Sequence, residues 1–207
     1  MFEFNPIHIA YAVMIVGVIL TFLFTRRKTV DLRETAAEFI IPFVKMSNFI
    51  CPKAPQNHLR TEQNEQGEIV PLPVEQQSGE IRAIIKRAND EYCVRLFSEM
   101  RDASEKLDQQ AGINRTNKAQ FAEPIREMLY LTHTFLCGCE NLNTLDTKEK
   151  LNDFESYLHE QPQHRFLLMK RLPGSRNSEY QELNAAYADE METLEREEIE
   201  AARNRKS

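Results

Sequence analysis

An uncharged and strongly apolar run opens the hydrophobic pattern of this chain. It extends from Ile7 to Phe24, and eleven of its 18 residues are Ile, Val, Leu or Phe. Each such residue favours insertion near the centre of a membrane helix by roughly 0.3 to 0.6 kcal/mol. The pattern therefore predicts one transmembrane helix, with anchor residues Ile7, Val13, Ile15, Val18, Leu20 and Phe24.

Three basic residues end this run and indicate its orientation. Arg26, Arg27 and Lys28 follow it, whereas Glu3 is the one charged side chain before it. Because basic residues stay on the cytosolic side, we expect a lumenal N-terminus and a cytosolic C-terminus. A cleaved signal peptide would carry basic residues before the apolar core and small residues after it, and neither is present. We interpret residues 1–28 as lumenal N-terminus, retained anchor and basic stop.

Residues 29–50 follow the anchor as an amphipathic segment. Its apolar cluster includes Phe39, Ile41 and Phe43, which we predict to contact a partner. Such a segment either lies at the membrane interface and contacts a partner, or packs on the chain's own domain. Pro42 predicts that the helix breaks or restarts at this point.

Residues 51–79 have a different composition and predict an extended linker or strap. This segment is rich in Pro, Gln, Asn and Glu and has little apolar periodicity. Its stretch IVPLPVE, at residues 69–75, alternates apolar residues between prolines, which favours an extended strip that docks on a surface. The residues predicted to contact a partner here are Ile69, Val70, Leu72 and Val74.

Helical periodicity dominates residues 80–196, before a charged tail at residues 197–207. The pattern predicts a long helix capped by Ser78, a helix from Pro124 to Gly138, a helix starting at the Asp146–Glu149 box, a short helix or strand at 164–172, and a last helix from about Ser178. No segment reads as paired strands. We therefore predict a mainly α fold, with one N-terminal transmembrane helix, an extended proline-containing strap and a small cytosolic helical domain.

Charge narrows the class of partner. The first 28 residues hold one acidic and three basic side chains, which leaves 31 acidic and 23 basic side chains for the rest of the chain. This net charge of −8 is a poor match for nucleic acid or for an anionic membrane face. Protein partners are the better expectation.

Candidate chemical residues are few. Cys51, Cys93, Cys137 and Cys139 would be reduced in the cytosol, so no disulfide framework is implied. His133 lies near Cys137 and Cys139, with His159 and His164 downstream, and these are residue types that bind zinc. The C-x-C spacing, however, lacks the paired C-x2-C pattern that is usual in structural zinc sites. The chain also lacks the common phosphate-binding and nucleophile motifs. We predict no enzyme activity, cofactor, metal or small-molecule substrate.

Five stretches carry a resemblance to a known family. They are KAPQNHLRTE (53–62), IVPLPVE (69–75), DEYCVRLFSEM (90–100), LNDFESYL (151–158) and SEYQEL (178–183). Their order and spacing resemble those of the small NICE family of single-pass membrane proteins. The resemblance implies a non-enzymatic accessory subunit in the endoplasmic reticulum membrane. Its partners would be membrane lipids and a large bridge-like lipid-transfer protein. The subunit would anchor the lipid-transfer protein at membrane contact sites, at the end of the tunnel where lipid enters. The family has also been linked to phagocytosis.

Two alternatives from other classes stay open. The chain would equally suit a structural subunit of a mitochondrial inner-membrane complex, or a membrane-tethered adaptor for a cytosolic protein. The N-terminus has no Arg-rich, Ser-rich amphipathic presequence, which lowers the mitochondrial option.

Overall fold

The structure, a computed structural model, describes residues 6–172, 174–190, 192, 193, 196 and 199. Its description omits the side chains of residues 6–13, 27, 28, 30 and 162. The predictions made for Ile7, Val13, Arg27 and Lys28 therefore lie outside the described side chains.

The longest element, helix α1 (Pro6–Ile50), has 45 residues. Its apolar side chains from Met14 to Phe24 are exposed, whereas Leu32 and most apolar residues after it are buried in the bundle. The helix continues through Pro42, so the predicted break is wrong. Proline removes one helical hydrogen bond, but Pro42 and its neighbours are buried, and their packing offsets that loss. One continuous helix thus joins the exposed apolar segment to the core.

Helices make up most of the described chain, which confirms the mainly α class. After α1 they are α2 (Gly79–Ala88), α3 (Glu91–Ala111), α4 (Arg115–Asn117), α5 (Glu123–Glu140), α6 (Lys148–His159), α7 (Gln161–Arg171) and α8 (Ser178–Ala186), with a π-helical segment (Lys118–Ala122) between α4 and α5. Among the residues described, none of these helices combines the length and the apolar character that crossing a membrane requires.

A single hydrophobic core extends from Leu32 to Tyr180. The C-terminal half of α1 packs mainly on α3, and α5 packs mainly on α6. The largest completely buried side chains are aromatic: Phe39, Phe43, Phe121, Phe135 and Phe154. The amphipathic segment at residues 29–50 is therefore a central helix of the domain rather than a separate unit.

The helix predicted after Ser78 is divided into α2 and α3. Ser78 caps α2 as predicted, since its side chain accepts a hydrogen bond from the Ile81 N–H. The chain then turns at Asn89, and the Asp90 carboxylate accepts from the Tyr92 N–H to start α3. The apolar stripe is continuous across this turn, which is why periodicity alone indicated one helix.

The predicted strap contains a β-hairpin. Strand β1 (Thr61–Gln63) pairs antiparallel with β2 (Ile69–Pro71), and Gly67 takes a positive φ of 81° in the turn between them. Below the hairpin, the buried Gln77 side chain accepts from the Arg60 N–H and donates to the Arg60 and Leu72 carbonyl oxygens. The expectation of no paired strands was therefore wrong, and this segment is ordered against the domain.

The C-terminal half of α1 is also joined to the last helices by buried polar groups. Ser47 contacts Gln161 and Arg165, and Arg165 also pairs with Glu190 at 3.0 Å. Only 3% of Arg165 is exposed. Because an unpaired buried charge is costly, these contacts fix α7 against α1.

Candidate functional site

The part of α1 from Met14 to Phe24 is exposed and carries four of the predicted anchor residues. Ile15 is 58% exposed, Val18 69%, Leu20 49% and Phe24 71%. Isolated exposed apolar side chains are common on proteins, but a contiguous run of them is typical of an interaction or membrane surface. The segment from Met14 to Phe24 is such a run.

The threonine hydroxyl groups within this run and directly after it are hydrogen-bonded by the helix itself. Thr21 Oγ1 donates to the Gly17 carbonyl oxygen at 2.8 Å, and Thr25 Oγ1 donates to the Thr21 carbonyl oxygen at the same distance. A polar group in apolar surroundings is costly unless it is hydrogen-bonded. These bonds make the segment compatible with surroundings that offer no water.

A basic pocket of about 450 Å³ lies where α1 enters the bundle. Its lining includes three arginines, Arg26, Arg33 and Arg176. The Glu34 carboxylate and the Phe22 ring also line it. Arg26, one of the predicted topology residues, is exposed. Arg33 Nε is buried and has no hydrogen-bond partner among the described residues. The pocket thus places an excess of positive charge at the base of the apolar segment.

Glu34 fixes one wall of this basic pocket. Its carboxylate accepts hydrogen bonds from the Ser175 hydroxyl and the Arg176 N–H. Burial acts to raise the pKa of Glu34, but these bonds and the Arg176 charge together lower it below its usual value. Glu34 therefore stays ionised near neutral pH and holds the loop before α8 against α1.

The predicted partner contacts on α1 are core residues. Phe39 and Phe43 are completely buried, and Ile41 is 7% exposed. They contact the domain's own core, which is the second of the two alternatives that the sequence left open. A partner cannot reach these three side chains on the folded chain, so their assignment as a docking strip is corrected.

The predicted contacts in the hairpin segment have a different environment. Ile69 is 49% exposed, and Val70, Leu72 and Val74 are partly buried. Pro71, between them, is buried and attaches this strand to the domain. The segment therefore presents a small apolar surface at its edge, centred on Ile69.

Among the described residues, His133, Cys137 and Cys139 do not come together as a metal-binding group. Cys137 Sγ lies 3.6 Å from His133 Nε2 on the outer face of α5, but Cys139 is buried. Burial raises the pKa of the Cys139 thiol well above its ordinary value, which disfavours the thiolate that a metal needs.

A different cluster brings together His58, Glu155 and His159. Glu155 Oε2 lies 2.8 Å from His58 Nδ1 and 3.2 Å from His159 Nε2. The two imidazole rings are 4.3 Å apart, centroid to centroid. All three potential ligand atoms lie within 4.8 Å of one another, so the group could hold a metal ion.

Both helix geometry and backbone contacts position this cluster. Glu155 and His159 are one turn apart on α6 and share a face. The other oxygen of Glu155 accepts from the Leu59 N–H, which fixes the chain next to His58. Glu80 accepts from the backbone N–H groups of Gln56 and Asn57 on the other side. A pocket of about 460 Å³, lined also by Asn152 and Ser156, opens beside the cluster.

Sequence reasoning missed this cluster because its halves are far apart. His58 and Glu155 are separated by 97 positions. The spacing Glu155-x-x-x-His159 was visible, but it is a common pattern on solvated helix faces.

No known family model, curated protein or solved structure matches the chain.

Proposed function

We propose that this chain is a membrane-anchored accessory protein whose helical domain positions a protein partner close to a bilayer. The observation that carries the proposal is the continuity of α1. The same helix presents the exposed apolar segment at one end and forms the centre of the core at the other. A domain attached in this way turns and moves with its anchor, which suits a protein that sets the position of another.

The basic pocket supports the same arrangement. Arg26, Arg33 and Arg176 lie at the base of the apolar segment, where phospholipid headgroups would be if that segment entered a bilayer. Basic side chains near an anionic surface contribute about 1 kcal/mol each. The acidic remainder of the domain would then face away from the membrane, towards a partner with basic residues.

The sequence resemblance supplies the candidate partner. For the NICE family it implies a bridge-like lipid-transfer protein at the endoplasmic reticulum membrane. In this proposal the edge around Ile69 contributes to that docking, because it is apolar, exposed and attached to the domain through Pro71 and Gln77. The role requires anchoring and contact, and no catalytic group.

The anchoring is tested by placing charge in the exposed apolar segment. We expect the double variant Val18→Arg and Leu20→Arg to be released from membranes by alkaline carbonate, while the unaltered chain stays in the pellet. Each arginine costs roughly 2.5 to 3.5 kcal/mol at the centre of a membrane helix. The matched control is Val94→Arg on α3, since Val94 is 64% exposed but lies on the domain. Release of the unaltered chain, or equal behaviour of all three proteins, would overturn the anchoring.

Topology and partner are tested separately. Asn114, in the sequon Asn114-Arg115-Thr116, is exposed, so glycosylation there would report a lumenal domain and contradict the proposed orientation. Gentle detergent extraction should recover a very large lipid-transfer chain, and Ile69→Asp should reduce that recovery without lowering the domain's melting temperature. Recovery of a respiratory complex instead would support the mitochondrial alternative.

A further inference from the structure

We propose that His58, Glu155 and His159 form a zinc site that ties the segment after α1 to helix α6. This inference is independent of membrane anchoring, because all three residues lie on the domain. Zinc is commonly bound by two imidazole nitrogens and one carboxylate oxygen, with a fourth position left for water or another ligand. The cluster contains this donor set.

The geometry is close to that of a bound ion. In a tetrahedral site with bonds of about 2.0 to 2.1 Å, neighbouring ligand atoms are roughly 3.3 Å apart. Two of the three separations here are 2.8 and 3.2 Å, both measured from Glu155 Oε2. The remaining pair, the two imidazole nitrogens, lies within 4.8 Å. A small rotation of His58, whose side chain is 77% exposed, would bring them closer together.

An unsatisfied nitrogen also points to a ligand. His159 Nε2 is buried and makes no well-aligned hydrogen bond to any described residue, although Glu155 Oε2 is near. A buried polar atom in that state is unusual and calls for an explanation. If Nε2 carries a lone pair, it faces a carboxylate oxygen, and two electron-rich atoms repel each other. A cation between them removes the repulsion and satisfies both atoms.

The donor set also selects the class of metal. Imidazole favours zinc and its neighbours in the first transition row, whereas magnesium and calcium prefer oxygen ligands throughout. The fourth position would open towards the pocket lined by Asn152 and Ser156. Glu155 Oε1 is already occupied by the Leu59 N–H, so the carboxylate would bind the ion through Oε2 alone.

Such an ion would join two distant parts of the chain. His58 lies in the irregular segment between α1 and β1, whereas Glu155 and His159 lie on α6. That segment is held to α6 by the Leu59–Glu155 bond and to α2 by the contacts of Glu80. Zinc bound only by the folded state would add to this attachment and raise the melting temperature.

The experiment uses the full-length chain in detergent, without a polyhistidine tag and after removal of metal by a chelator. Titration calorimetry with zinc chloride should show one zinc per chain. Loss of a residue that only supports a metal ligand weakens metal binding by roughly 10- to 100-fold. His58→Ala and His159→Ala each remove a ligand, so each should weaken zinc binding by more than that. His133→Ala is the matched control, because His133 lies beside Cys137 on α5 and should leave binding unchanged.

His58→Ala is the decisive variant, since this side chain is largely exposed and its removal should not unfold the domain. Circular dichroism of each variant checks this. Cobalt in place of zinc should give tetrahedral absorption without a thiolate charge-transfer band. The proposal is overturned if zinc does not bind stoichiometrically, if binding survives His58→Ala and His159→Ala, or if a thiolate band shows that Cys137 is the ligand. In the first case the cluster is an ordinary hydrogen-bonded contact between the segment and α6.

Discussion

Gly138 offers a sharp test of the packing between α5 and α6. It lies inside α5, which ends at Glu140 rather than at Gly138 as the sequence had predicted. A Cβ added at this position would lie 2.8 Å from Phe154 Cδ2 and 3.0 Å from Leu145 Cδ2. The Phe154 ring cannot yield easily, because it stacks on Phe135 with centroids 4.9 Å apart. Glycine is therefore required here by the close approach of α6.

The size of the effect follows from two opposing contributions. Alanine is favoured over glycine inside a helix by roughly 0.5 to 1 kcal/mol. Overfilling a packed core typically costs about 1 to 3 kcal/mol. We therefore expect Gly138→Ala to destabilise the domain by about 1 kcal/mol, and Gly138→Val by considerably more. For a chain of this size, 1 kcal/mol lowers the melting temperature by roughly 2 to 4 °C.

The assay is thermal unfolding of the full chain in detergent, followed by the helical circular dichroism signal. Gly79→Ala is the control: Gly79 begins α2, and an added Cβ there meets no atom within 4 Å. That change should shift the free energy of unfolding by no more than about 0.5 kcal/mol. A Gly138→Ala protein that melts at or above the temperature of the unaltered chain would refute the reasoning, since helix propensity would then outweigh the contact with Phe154.

Two further predictions concern buried polar groups. Burial raises the pKa of Tyr157 to about 12, so between pH 10 and 12 the unfolded chain loses a proton that the folded chain keeps. The free energy of unfolding should fall by about 3 kcal/mol over that pH window. In Tyr157→Phe, the free energy of unfolding, measured by denaturation at a series of pH values, should fall less steeply there. An unchanged slope would contradict this prediction. Gln77→Leu should cost about 1 to 3 kcal/mol and expose the hairpin to proteases, because Arg60 and Leu72 lose their partners. If proteases cleave the Gln77→Leu variant no faster than the unaltered chain, the prediction is wrong.

Local signals in the sequence located the helix starts well. Ser78 and the box at Asp146–Glu149 act within one turn, through a side chain and a nearby backbone N–H. The structure confirms Ser78 as the cap of α2 and places the cap of α6 at Thr147, inside that box. Such contacts need no information from the rest of the chain, which is why the sequence could predict them.

Features that depend on packing escaped the sequence. Pro42 normally ends a helix, and only the burial of its neighbours shows why α1 continues. The hairpin was missed because Thr61–Gln63 is polar and exposed, without the alternation that marks a strand. The turn between its two strands was detectable, since Asn64 and Gly67 are typical turn residues. The candidate metal site was missed because His58 and Glu155 are 97 positions apart and only the folded chain brings them together.

The position of α1 also limits how the proposed anchor and the domain are arranged. If the apolar segment ends at Phe24 in the membrane, residues 25–31 separate it from Leu32, the first of the core residues. Seven helical residues span only about 10 Å. Arg26 and the basic pocket would then lie within roughly one Debye length of the lipid headgroups, where charge attraction is weakly screened. Because α1 has no break between these points, the proposed anchor would hold the domain at a defined distance and angle from the bilayer, which a flexible tether could not do.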